Sequence, residues 1–265
     1  MAGLTVLDGL LLGLVQGFLE WLPVSSSGQL VVLLMAFLRL PPELSLRLSL
    51  FLHLATALSA SVYYRGRLLS ATRTLLQERG LDETAKLIAY TTPASLATAA
   101  PVYLLYVHLL KGTSLDTATF FVGIALLATA LILWLRPAGG EKRLKEAKTT
   151  DYILLGLVQG LAVLPGVSRS AITTALLCIR RFRPEEALTG SFLASIPVSI
   201  IAGFVEAPAV SIGTPHLAAL TTAFIAGILT IRFITSLATR LNLAPFLAFW
   251  ALLMVASTVP AASLL

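Results

Sequence analysis

Short polar interruptions divide a nearly continuous apolar chain into segments of two lengths. Six segments, at roughly 44–64, 85–109, 117–135, 186–206, 217–240 and 243–263, are long enough to cross a bilayer as helices, which takes about 20 residues. Two further stretches are broken in the middle. Gly9–Leu19 is apolar apart from Gln16, and a polar turn, SSSGQ, separates it from Leu30–Leu38. The second is interrupted by SRSAITT and resumes over Ala171–Ile179. At 1.5 Å per residue the first piece extends about 16 Å as a helix, roughly half the ~30 Å of hydrocarbon. Two such pieces form either one broken spanning helix or a re-entrant hairpin, and length alone does not choose.

The broken stretches are copies of one another. Asp8–Gly28 aligns without a gap on Asp151–Ala171, with LLGLVQG identical at Leu11–Gly17 and Leu154–Gly160. Asp8 falls on Asp151, Val24-Ser25 on Val167-Ser168, Ser27 on Ser170, Pro41 on Pro184 and Glu43 on Glu186. The chain reads as a single membrane domain over 1–265, built from two repeats at about 4–136 and 151–265.

Composition agrees: 57% of the 265 residues are hydrophobic, 12% charged, and mean hydropathy is +0.90. A soluble domain carries about 25% charged residues. The net charge of +6 sits in short loops between apolar segments, the positive-inside arrangement, so no nucleic-acid partner is expected. Cys178 is the only cysteine, which excludes an intramolecular disulfide, and His53, His108 and His216 form no ligand motif. The N-terminus, MAGLTVLDGL, lacks a basic n-region and is expected to belong to the mature fold.

Charge also arbitrates topology. With both broken stretches re-entrant, Arg65, Arg67, Arg73, Arg79, Lys86, Arg136, Lys142, Arg143, Lys145, Lys148, Arg180, Arg181, Arg183, Arg232 and Arg240 share one side, and only Arg39, Arg47 and Lys111 lie opposite. If both span, the same cations divide 10 to 8. The first count satisfies the positive-inside rule. The expected fold is therefore all-α and integral to the membrane: six transmembrane helices plus two re-entrant hairpins, in repeats of opposite orientation, an architecture of transporters.

Candidate chemistry lies in the hairpins. Glu20 ends the first half-helix, and an ionisable group in an apolar segment marks function by default, with a capping or packing role as the alternative. Gln16 lies one turn earlier on the same helix face. Its counterpart Gln159 reads as structural, because Val163 stands where Glu20 does in the first copy. Ser25, Ser26, Ser27 and Gly28 lead into a helix whose free N–H groups suit an anion, and a serine beside a base can be a nucleophile; serines also cap helices. Ser168, Arg169 and Ser170 form the second turn. A guanidinium at that depth needs an anionic partner, which is phosphate, Glu20, or each in turn. Together these groups suit a phosphate ester or diphosphate with an apolar tail.

At these residues the chain resembles the undecaprenyl-diphosphate phosphatase family, integral membrane proteins linked to bacitracin resistance. Gln16-Gly17-Phe18-Leu19-Glu20-Trp21-Leu22-Pro23-Val24-Ser25-Ser26-Ser27-Gly28 is similar to its first motif and Pro165-Gly166-Val167-Ser168-Arg169-Ser170 to its second. Arg183–Ala187 with Ser191–Pro197 resembles the segment that follows. The resemblance implies hydrolysis of a polyprenyl diphosphate to the monophosphate, recycling a lipid carrier at the outer face of the plasma membrane. It implies Ser26 as nucleophile, Glu20 as acid/base or metal-linked carboxylate, and Arg169 as phosphate clamp. Gln16, Ser25, Ser27, Gly28, Gln29, Ser168, Ser170 and Thr173 are the expected phosphate contacts. Gln29 stands where the family motif has histidine, and Ala171 where it has glycine. Glutamine can hold a phosphate oxygen but cannot shuttle a proton; His53 on the next span is a substitute, though a lone helical histidine is more often structural. A divalent cation, Mg2+ or Ca2+, is expected only in a site held mainly by substrate and water, with Glu20 as its protein ligand. Partners expected are the polyprenyl lipid, membrane lipids and, as an open question, a second copy of the chain. The competing function is a translocase for polyprenyl phosphate.

Overall fold

The computed structural model describes residues 4–77, 80–110, 113–137, 140–237 and 244–258, and these are helical with no named strand. Eleven α-helices are described: α1 (Val6–Leu19), α2 (Ser26–Leu38), α3 (Pro42–Tyr63), α4 (Arg65–Leu76), α5 (Glu83–Leu110), α6 (Leu115–Leu135), α7 (Thr149–Gly160), α8 (Arg169–Ile179), α9 (Pro184–Glu206), α10 (Thr214–Leu237) and α11 (Ala244–Ser257).

Repeated residues perform repeated local jobs. Asp8 closes a capping box at the start of α1, accepting from the Thr5 amide at 2.8 Å, which satisfies an amide left free at a helix N-terminus. Asp151 does the same for α7 by accepting from the Lys148 amide at 2.8 Å. Proline occupies the first helical position of both α3 and α9, where its missing N–H is harmless.

Four helices among the described residues, Pro42–Tyr63, Leu115–Leu135, Pro184–Ala209 and Thr214–Ser236, are long and apolar enough to cross a membrane. The other two expected spans are helical as well. α5 has 28 residues but is threaded with Thr91, Thr92, Pro93, Ser95, Thr98 and Pro101, and α11 has 14 described residues. Of the cations counted above, Arg79, Lys111 and Arg240 lie outside the described residues. One element was not foreseen: the basic stretch after α3, read as loop, is helical from Arg65 to Leu76, with Ala71 its only buried residue.

Each broken stretch doubles back. Asp151, at the start of α7, meets the Arg180 guanidinium just past α8 at 2.7 Å and also pairs with Lys142, so the two ends of the second stretch lie together. In the first, Leu4 before α1 and Leu38 and Leu40 at the end of α2 pack into one cluster with Leu12, Leu30 and Leu34. The helix pairing is reciprocal between repeats: α1 packs on α10 and α7 on α5, α2 on α3 and α8 on α9, while α3 pairs with α9 and α6 with α11.

Glycine makes the first of these pairings possible. A Cβ on Gly9, Gly13 or Gly17 would lie 2.1, 2.2 or 2.5 Å from the carbonyl oxygens of Pro215, Ala219 and Ala223 on α10. α7 meets α5 in the same manner, since a Cβ on Gly156 would sit 2.4 Å from the Thr91 oxygen. Small residues let backbones approach in a solvent where apolar burial drives nothing. Large side chains turn outward instead: Phe37 is 78% exposed and Leu135 70%, as a lipid-facing surface requires.

Replacing Gly13 by alanine forces backbone to move and is expected to cost about 1–3 kcal/mol, the usual penalty of overpacking. Gly66 has nothing within 4 Å of its added Cβ, and Gly66→Ala should be neutral or stabilise by up to about 1 kcal/mol. Thermal unfolding of the two variants in detergent checks this; equal tolerance would remove the close α1–α10 approach.

Candidate functional site

The two hairpin tips meet. α1 carries Glu20 just past its end, and the chain then turns through Trp21–Val24 to Ser25, whose φ of 57° is left-handed. The Ser25 hydroxyl accepts from the Gly28 amide at 3.4 Å and, across the tip contact, from the Gly166 amide at 3.0 Å. Gly166 itself has φ +98°, and a Cβ on Gly28 would stand 2.7 Å from the Gly166 nitrogen. Glycine is required at both positions, at one by backbone conformation and at the other by contact distance. Ser170 adds a second tie by donating to the Leu22 carbonyl at 3.0 Å.

At this contact the Glu20 carboxylate, 6% exposed, is surrounded by donors. Its Oε1 accepts from Arg169 Nη2 at 2.6 Å. Its Oε2 accepts from the Ser26 hydroxyl at 2.6 Å and the Gln16 amide at 3.0 Å, and faces His53 Nε2 at 3.2 Å. The guanidinium rests 5.5 Å from the Trp21 ring centroid and 5.8 Å from that of Phe192, within cation–π range. Arg169 Nη1 is buried and has no hydrogen-bond partner among the described residues. A guanidinium with one nitrogen committed and another unmatched is poised for a further acceptor, since an unpaired buried donor costs about 1–3 kcal/mol or more when charged.

These groups line a cavity of about 230 Å³. Glu20, Ser25, Ser26, Ser27, Ser168, Arg169 and Ser170 lie on its wall, as the sequence led one to expect, together with His53. Gln16 instead stands behind Glu20, and Gly28 is taken up by the hairpin contact. Two expected phosphate contacts are turned elsewhere. Gln29 points at the Val24 carbonyl, 3.5 Å away, and the Met254 sulfur, because its place one turn into α2 faces α11 and not the tip. Thr173 bonds the Arg169 carbonyl and Ser191, both at 2.6 Å, fixing α8 on α9. Gln159, read as structural, donates to Ser95 at 3.0 Å and to the Ala194 carbonyl at 3.1 Å, and it also lies on the cavity wall.

The cavity extends along α5 from Leu96 to Tyr103 and along α9 from Ser195 to Glu206. At that far end Glu206 accepts from Tyr103, and from Arg47 at 3.0 Å. The apolar wall between, with Leu96, Ala99, Val198 and Ala202, suits a hydrocarbon tail. His53 and the Glu206 cluster were the residues sequence reasoning missed or undervalued. The rule that singled out Glu20, that an ionisable group within an apolar segment marks function, applies equally to His53.

As a resident metal site the contact is a poor fit. Among the described residues no three acidic, histidine or cysteine side chains gather, and both Glu20 oxygens already face donors, one a guanidinium. A cation would have to displace Arg169 or Ser26.

Removing the Ser25 hydroxyl strands a buried Gly166 N–H, so Ser25→Ala should lower the unfolding free energy by about 1–3 kcal/mol. Ser27 makes no hydrogen bond through its side chain among the described residues, and Ser27→Ala should stay within about 0.5 kcal/mol of wild type. Equal effects of the two would contradict the tie between the tips.

Comparison with known proteins identifies the family. Residues 9–256 match the family model described as Bacitracin resistance protein BacA. The chain is 39% identical over 194 residues to the undecaprenyl-diphosphatase of Methanothrix thermoacetophila, covering 72% of this chain and 71% of that protein. It is 38% identical to that of Haloarcula marismortui, over 74% and 75%, and 33% identical to that of Korarchaeum cryptofilum, over 89% and 91%. This chain belongs to the bacitracin resistance protein BacA family.

Proposed function

We propose that this chain is a multi-pass membrane phosphatase that hydrolyses a polyprenyl, undecaprenyl-type diphosphate to the monophosphate and inorganic phosphate, and so recycles a lipid carrier. The observation that carries this reading is the Ser26 hydroxyl and the Arg169 guanidinium meeting on the Glu20 carboxylate, each at 2.6 Å, in the wall of one cavity. The named relatives are undecaprenyl-diphosphatases.

The chemistry follows from the contacts. The Ser26 hydroxyl already donates to Glu20 Oε2, so the carboxylate is placed to take its proton as Oγ attacks the terminal phosphorus. Arg169 turns its free nitrogen to the phosphoryl oxygens while Nη2 stays on Glu20. Ser26 and Ser27 at the start of α2 and Arg169 and Ser170 at the start of α8 line the same cavity, and first-turn amides, which lack intrahelical acceptors, would offset charge growing in the transition state. The diphosphate lies at the tips and its tail runs between α5 and α9. A divalent cation, Mg2+ or Ca2+, would neutralise the diphosphate and would be held by substrate and water, because Glu20 is already engaged by Arg169 and Ser26.

In the membrane, α3, α5, α6, α9, α10 and α11 span and the two hairpins are re-entrant, the first from outside and the second from the cytoplasm. The meeting of Asp151 with Arg180 supports a hairpin that leaves on the side it entered. The cavity then opens outward, because Tyr103 and Glu206 lie toward the ends of α5 and α9 assigned to the outer face.

Two measurements test this. Purified protein in detergent should release phosphate from polyprenyl diphosphate, with Ser26→Ala slower by at least about 10³-fold and Arg169→Lys by at least about 10²-fold. No release from wild type, with lipid phosphate moving across sealed vesicles, would assign translocation instead. Separately, a cysteine near Arg143 should label only from the cytoplasm and one near Thr113 only from outside. Labelling from one side would end the inverted arrangement.

A further inference from the structure

Glu20 has one neighbour that the attack of Ser26 leaves without a task. His53, at the middle of α3, lines the cavity and is the only histidine that does so among the described residues. Its Nε2 stands 3.2 Å from Glu20 Oε2, the oxygen that accepts from Ser26, and its Nδ1 lies 2.8 Å from the Ser49 carbonyl oxygen. Both ring nitrogens thus face oxygen acceptors. With Glu20 ionised, the ring that fits these contacts is the imidazolium, which donates from both. Glu20, His53 and Arg169 together then carry one net positive charge, with Arg169 rather than His53 as the group that clamps the substrate.

We infer that His53 is the second catalytic acid–base of this site, giving a proton to the departing polyprenyl monophosphate and later taking one from the hydrolytic water. The inference rests on the phosphatase reading and adds the group that reading lacks. In the first half, Ser26 Oγ forms the bond to the terminal phosphorus and its proton passes to Glu20. The bond from that phosphorus to the bridging oxygen breaks, and the bridging oxygen leaves with the Nε2 proton of His53. Glu20 is then a neutral acid and His53 a neutral imidazole. In the second half, water attacks the phosphoserine phosphorus and gives a proton to His53, while the Ser26 oxygen leaves and recovers its proton from Glu20. Each residue ends as it began, and one water has been consumed.

The arrangement explains how the site works with Gln29 turned toward Met254. Proton transfer to and from the reacting oxygens is supplied from α3, across the tips and not from within the hairpin.

The test uses full-length protein in detergent with farnesyl diphosphate, measuring phosphate release for wild type, His53→Gln and His53→Ala, with thermal unfolding to verify the fold. His53→Gln keeps a side chain able to bond Glu20 and the Ser49 carbonyl, so KM should stay within about threefold. Its kcat should fall at least about 100-fold, as loss of a general acid–base predicts. His53→Ala should fall as far and regain at least about tenfold when imidazole is added. A purely structural histidine would show neither the kcat-only loss nor the rescue. Wild-type release with His53→Gln kcat within threefold of it, or a loss in His53→Ala that imidazole leaves unchanged, overturns this inference alone. Absence of release from wild type overturns the phosphatase reading itself.

Discussion

Everything in this molecule converges on one buried ion pair, Glu20 with Arg169, formed between the tips of two half-length hairpins. Neither charge is tolerable by itself in so apolar a setting, because the desolvation of a single ion is large and only a close, hydrogen-bonded partner offsets it. The pair therefore has meaning only if both tips arrive together, and much of the fold serves that arrival. Ser25 in a left-handed conformation, Gly28 pressed on the Gly166 amide, and Ser170 bonded to the Leu22 carbonyl set the tips in register. Trp21 and Phe192, packed edge to face with centroids 4.8 Å apart, form the floor under the guanidinium.

The hairpins are held from outside by backbone proximity. Glycines on α1 meet carbonyls of α10, and glycines on α7 meet α5, so each hairpin leans on a helix of the other repeat. That exchange makes the two halves one unit. It also fits the paired half-helices: the first-turn amides of a helix lack intrahelical acceptors, and the residues that begin α2 and α8 lie at the hairpin contact and on the cavity wall.

Much of this is legible in the sequence alone. The repeat is written in the identical LLGLVQG runs, the half-length pieces in their residue count, and Glu20, Ser26 and Arg169 in being polar at membrane depth. Asp8 and Asp151 even announce equivalent helix starts. What failed was orientation. Gln29 sits beside the serines in sequence, but it follows one helical turn after Ser25 and faces α11. Thr173 likewise turns to Ser191. His53 lies on a separate helix, and no periodicity within α3 says which neighbour its ring will meet. The basic helix α4 and the Glu206–Arg47–Tyr103 cluster are tertiary outcomes of the same kind, set by contacts between segments far apart in the chain.

The central claim is that Glu20 and Arg169 are direct partners across the tips, and a double-mutant cycle tests it most directly. Unfolding free energies in detergent are measured for wild type, Glu20→Gln, Arg169→Gln and the double variant. Glu20→Gln leaves the buried Arg169 without its carboxylate, a loss of about 3–5 kcal/mol; Arg169→Gln leaves Glu20 with His53 as its remaining charged partner and costs less, whereas the double change removes both members of the pair together. The account predicts that the double variant is more stable than the sum of the single losses by at least about 2 kcal/mol, within the range for residues in contact. Additivity to within about 0.5 kcal/mol, the behaviour of independent sites, would contradict it.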